Sequence, residues 1–134
     1  MATVQDFAGL KHFQVTEFRH PELMNADFLR WLDHVREVAG IPFHLTSDAR
    51  TPEENAAASG SSPTSLHLLG RAVDFQNPED VTARYHIVSA IFACEGRAPG
   101  PIELELVHGP TDHHIHLGCY LQASHPPQLE LTLT

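Results

Sequence analysis

The sequence predicts an α+β fold, a small mostly antiparallel sheet with flanking helices. Three observations carry that expectation. Two long segments space their apolar residues as helices do and bear matching start and stop signals. Several short segments alternate with period two, and the last two strong ones are separated only by a turn. Helices thus precede and interrupt the strands without alternating with them one for one, which separates this pattern from a parallel βαβ array. A chain of 134 residues suits a single domain over 1–134, able to bury a core without disulfide or metal staples.

The first helix is "NADFLRWLDHVREVAG", over about 26–39. Asn25 can cap it, Phe28, Leu29, Leu32, Val35 and Val38 or Ala39 recur on one face, and Gly40 stops it. "IPFHLTS" is short, apolar and partly β-branched, and reads as a strand. "TPEENAAAS" begins with Thr51, Pro52 and Glu54 in capping-box order, so a short helix follows. "GSSPTS" is a loop that leads into "RAVDF", a strand. Asn77 and Pro78 open the second long helix, "PEDVTARYHIVSAIFACEG", with Val81, Tyr85, Val88 and Ile91 or Phe92 as its apolar stripe and Gly96 as its end. "IELELVHG" and "HHIHLGCYL", joined through "GPTD", make a hairpin. "SHPPQLELTLT" is an edge strand or a loose tail.

Composition bounds the function. Hydrophobic residues are 42% and charged residues 19% of the chain, which fits neither a disordered segment nor a coiled coil. A formal charge of -9 without any Lys or Arg run excludes the phosphate-neutralising surface of a nucleic-acid binder. No stretch approaches the ~20 apolar residues of a membrane span, and "MATVQDFAGLKHF" lacks the pattern of a signal peptide. A monomer made in the cytoplasm is expected. The two cysteines, Cys94 and Cys119, form no CxxC pair and read as buried thiols.

The chemistry gathers in two segments. In "SLHLLGRAVDF", His67 ends a loop and Asp74 lies in the following strand, and a turn through Leu69 and Gly70 lets the two side chains converge, with Gly70 admitting a close approach of chain to metal. Aspartate is depleted in strands and seldom buried without a partner, so Asp74 calls for one. In "TDHHIHLG", His114 and His116 point to one face of a strand while His113 and Ile115 point to the other. Two imidazoles aimed at one spot suit a metal centre with a helper residue, and catalytic zinc takes three protein ligands. The third ligand is left open by the spacing. The remaining histidines, His44 and His108 on strands among them, read as ordinary polar residues.

These segments resemble a known family. "SLHLLGRAVD" matches the Ser-x-His-x-x-Gly-x-Ala-x-Asp segment of the zinc D-alanyl-D-alanine carboxypeptidases and related peptidoglycan endopeptidases, through Ser65, His67, Gly70, Ala72 and Asp74. "LTSDARTPEENAA" is similar to the segment before it in that family, usually Thr-Ser-Gly-Tyr-Arg-Thr-Pro-Glu-x-Asn, with Asp48 and Ala49 here in place of Gly-Tyr. The likeness spans roughly 10 to 120. It implies zinc held by His67, Asp74 and a histidine of the late strand. The family's usual acidic residue two places after that histidine is Gly118 here, and the acid found three places before it in some members is His113. The wider structural group, which includes the lysostaphin-like endopeptidases, uses a His-x-His pair whose second member is the ligand and whose first assists catalysis. "HIH" fits that version with His116 as ligand and His114 as base, Asp112 and His113 being the fallbacks.

The resemblance therefore implies a zinc peptidase cutting the stem peptide of bacterial peptidoglycan, at a D-Ala-D-Ala terminus or an L-Ala-D-Glu link. Arg50 would hold a substrate carboxylate or the developing oxyanion, and Ser65 would hydrogen-bond the peptide. Action on the wall without an export signal points to a phage or prophage lysis enzyme. The alternative is an inactive zinc-binding module that binds cell wall or a protein partner, which the missing acid beside His116 favours.

Overall fold

The structure, a computed structural model, describes residues 1–58 and 61–133. Gly60, which opens the expected loop, lies outside them, as do Ser59 and Thr134. The architecture is α+β, as the sequence predicts. Among the described residues, four α-helices, α1 (Val4–Ala8), α2 (Ala26–Ala39), α3 (Pro52–Ala57) and α4 (Val81–Ala93), flank a five-stranded sheet. Its strands are β1 (Leu45–Ser47), β2 (Ala72–Gln76), β3 (Ile102–His108), β4 (His113–Cys119) and β5 (Gln128–Leu133), in the spatial order β1-β2-β4-β3-β5. All neighbours are antiparallel except β3 and β5. Among the described residues, no helix is long and apolar enough to cross a membrane.

Local signals account for the helix ends. Asn25 Oδ1 accepts from the Phe28 N–H and Gly40 closes α2 with a φ of 72°. Thr51 and Glu54 form the reciprocal capping box of α3. The second long helix departs from expectation at both ends. It starts at Val81 under an Asp80 cap, because Asn77 and Pro78 belong to the turn leaving β2, and it ends at Ala93 before a 3-10 turn at Glu95–Arg97. Its buried face is also different: Val81 and Tyr85 are exposed, and Ile87, Ala90 and Ile91 are buried. Apolar residues surround this helix, so spacing alone does not select a face. Tertiary packing does, with the Trp31 indole N–H of α2 donating to the Cys94 carbonyl at the end of α4.

One core joins the helices to one face of the sheet. Phe28, Leu29, Leu32 and Val35 of α2, with Ile87 and Ile91 of α4, share it with Val73, Phe75, Leu104, Ile115 and Leu117 from the strands. Phe43 and Phe75 stack at 4.7 Å. "IPFHLTS" yields only three strand residues, since Phe43 turns inward and the register with β2 shifts between Leu45 and Ser47. Both cysteines are buried and unpaired, and burial pushes the Cys119 thiol up to about 12. The C-terminal segment is an edge strand. By period-two alternation, residues 103, 105 and 107 of β3 and 114, 116 and 118 of β4 face away from the core, and that second face carries the site.

Candidate metal centre

Gly70 and Ser65 shape the turn that delivers His67. The Ser65 hydroxyl caps the 3-10 turn Leu66–Leu69 by accepting from the His67 N–H, so its local role is in the backbone. Gly70 ends the turn with a φ of +65°, and a Cβ there would stand 2.1 Å from the Leu23 carbonyl oxygen. The expectation that Gly70 lets the chain approach a metal is therefore corrected: the close approach is to the Leu23–Asn25 backbone, where the Asn25 N–H donates to the Gly70 carbonyl.

Register sets the rest. Asp74 of β2 pairs directly with His116 of β4, placing both side chains on the same face. Asp74 Oδ1 lies 2.9 Å from His116 Nδ1 and 3.4 Å from His67 Nε2. His67, Asp74 and His116 each present one donor atom, all within 4.8 Å of one another. The second nitrogen of each imidazole is held elsewhere. His67 Nδ1–H donates to the Asp48 carbonyl at 2.7 Å, so Nε2 is the ring nitrogen turned to Asp74. His116 Nε2 is bound at 2.5 Å by Glu103, whose other oxygen accepts from the Tyr120 hydroxyl at 2.7 Å. Two imidazole nitrogens and one carboxylate oxygen, with both rings fixed from behind, make a donor set that fits a zinc ion.

Two carboxylates hold the His116 ring protonated. Burial pulls the His116 imidazole down, but hydrogen bonds to Asp74 and Glu103 outweigh it and hold it up at about 9. For Asp74, burial pushes the carboxyl up, yet the hydrogen bonds from His116 and His67 prevail and hold it far below the usual carboxylate range. Glu103 is lowered chiefly by the His116 hydrogen bond, against its own burial.

Glu103 is the residue that sequence reasoning missed. It reads as the outward half of an alternating strand, and nothing local marks it. Its direct partner across β3 and β4 is Gly118, which has no side chain, so the carboxylate can lean diagonally onto His116. Gly118 in turn packs tightly: a Cβ there would meet Leu66 Cδ1 at 2.9 Å and the Arg71 carbonyl at 3.0 Å. An acidic residue in that place would not fit.

The other candidates line the same groove, a cavity of about 760 Å³ that contains Arg50, Ser65, His67, Asp74, Glu103, His114 and His116. Arg50 projects between Asp74 Oδ2, at 3.5 Å, and Asn55 Oδ1, at 3.3 Å. Asp48 does not compete for it, since its carboxylate accepts from the His20 N–H at 2.9 Å. Arg50 is the only Arg or Lys among the described residues of the groove. His114 stands one side chain away from His116 along the strand, and its Nδ1 is 2.9 Å from Asp112. His113 points to the opposite face and lies outside the groove.

An α+β domain whose open sheet face bears a His–Asp–His donor set in a groove defines the class structurally. The sequence model of the family described as peptidase M15 matches residues 7–117, and the chain belongs to that family. Among solved structures, it is similar to the L-Ala D-Glu endopeptidase ChiX of Serratia marcescens, with a TM-score of 0.52 and 18% identity over 74% of this chain and 82% of that one. At that identity the likeness is one of fold. No curated protein sequence matches this chain.

Proposed function

We propose that the protein is a zinc-dependent hydrolase that cleaves peptide bonds in the stem peptide of bacterial peptidoglycan, with His67, Asp74 and His116 as the metal ligands. The observation that carries this reading is the convergence of those three donors within 4.8 Å at a groove, in a chain of the peptidase M15 family. When bound, zinc supplies a Lewis acid and brings the pKa of water at such a centre to about 7.

The chain's own groups would do the rest. His114 is the base: Asp112 accepts its Nδ1–H, which leaves the Nε2 lone pair to take a proton from the attacking water and return it to the leaving amine. Glu103 is a positioning residue: by accepting from His116 Nε2–H it fixes the ring so that Nδ1 is the nitrogen turned to Asp74, the one that would bind a metal after losing its proton. Arg50 offers its planar fork to a substrate carboxylate or to the oxyanion of the tetrahedral intermediate. Ser65, at the groove wall, is within the surface that a bound peptide would cover.

Either a D-Ala-D-Ala terminus, through its carboxylate on Arg50, or an L-Ala-D-Glu link as in the activity named for ChiX, suits this groove. Defined muropeptides incubated with zinc-loaded protein, with and without chelator, and analysed by mass, test the proposal and name the bond. Cleavage that chelator abolishes and zinc restores is expected. Intact muropeptides beside stoichiometric zinc would instead make the chain a binding module.

A further inference from the structure

The β3–β4 hairpin carries a second group of potential metal ligands on the other side of the sheet. His108 and His113 are the terminal pair of the two strands, directly opposite each other, and the turn between them closes through the Gly109 N–H and the Asp112 carbonyl at 2.8 Å. Both side chains point away from His114 and His116 because alternation sends them to the opposite face. Their rings lie 4.6 Å apart at 66°. Glu79, in the turn just before α4, reaches both: Oε2 is 3.7 Å from His108 Nε2 and Oε1 is 3.7 Å from His113 Nε2. The three donors lie within 4.8 Å of one another.

Hydrogen bonding does not explain this grouping. A separation of 3.7 Å is too long for a hydrogen bond, so the two Nε2 atoms that face Glu79 make none with it. The separations do suit a metal, since ligands at about 2.1 Å around a tetrahedral ion stand about 3.4 Å apart. Contraction by a few tenths of an ångström needs only rotation of side chains, and Glu79 is exposed enough to move freely.

We propose that Glu79, His108 and His113 form a second, solvent-accessible site for a first-row divalent cation of the zinc, nickel and copper type. Two imidazoles with one carboxylate favour these ions over calcium or magnesium, which prefer oxygen ligands throughout. With three protein ligands and water completing the shell, the site is weaker and faster-exchanging than one whose rings are braced from behind. An ion there ties the hairpin turn to the start of α4, two segments that are otherwise joined by Asn77, whose side-chain amide donates to the Val107 carbonyl. The site is independent of the proposed hydrolase activity.

The test is titration of chelator-stripped full-length protein with zinc chloride alone, followed by calorimetry and by long-range proton–nitrogen spectra of the histidine rings. Two binding events are expected, with the His67 and His116 signals shifting in the first and those of His108 and His113 in the second. Glu79→Gln and His108→Gln, both at accessible positions, should weaken only the second event by at least about tenfold. Unchanged His108 and His113 signals at several equivalents of zinc would overturn the proposal, as would a second event that both variants leave intact. Loss of the first event alone would count against the His67 centre and leave this site standing.

Discussion

His116 and Asp74 face each other as direct partners across β4 and β2, and their side chains meet at 2.9 Å. In the proposed centre the His116 Nδ1 proton and a metal would compete for one lone pair.

Zinc binding at pH 7.5 is therefore expected to expel about one proton, because His116 in the metal-free protein stays charged up to about 9. Calorimetric titration in buffers of different ionisation enthalpy measures it, and an enthalpy independent of buffer would contradict it. The same shift has a sign for stability. A histidine held above its unfolded value of about 6.5 stabilises the metal-free fold fully below that pH, and the contribution is lost as pH rises through about 9. Asp74 acts in the opposite sense, its contribution disappearing as acid protonates it below the ordinary carboxylate range.

Removing the brace behind His116 should weaken the metal more than the chemistry. Glu103→Ala is expected to lower zinc affinity by roughly 10- to 100-fold while near-normal kcat returns at saturating zinc. If kcat instead stays depressed when zinc is saturating, Glu103 takes part in proton transfer and the role given to His114 passes to it.

His114→Ala should keep stoichiometric zinc and lose on the order of 10²–10⁴-fold in kcat. Asp112→Asn should show a smaller loss in kcat, since the amide still accepts the Nδ1–H but no longer stabilises the charged ring. Release of zinc by His114→Ala would mark it as a ligand.

Arg50→Lys is expected to impair turnover while leaving the melting temperature within a few degrees, because an ammonium cannot reproduce a two-pronged guanidinium. Wild-type kcat/KM in this variant would reduce Arg50 to a companion of Asp74 and Asn55.

Gly70→Ala should cost the metal-free protein more than about 2 kcal/mol in urea unfolding, from the left-handed backbone together with the clash at Leu23. A loss of only a few tenths would mean that the Leu23–Asn25 segment gives way easily.

What the residues alone determined is whatever depends on near neighbours in the chain. Asn25, Gly40, Thr51 and Glu54 set helix ends through hydrogen bonds within a few residues, so α2 and α3 were legible. The turn from His67 to Asp74 is equally local, and the grouping of His114 with His116 follows from strand alternation. Tertiary structure decided what depends on cross-strand register and on packing. It set His116 opposite Asp74, let Glu103 lean over Gly118 to brace that ring, and brought Asp48 from an earlier segment to fix His67. It also chose the buried face of α4 and gave Gly70 its reason, since both depend on what another segment presses against them. Sequence spacing shows which side chains share a face, but which atoms then meet is set by the neighbouring strand.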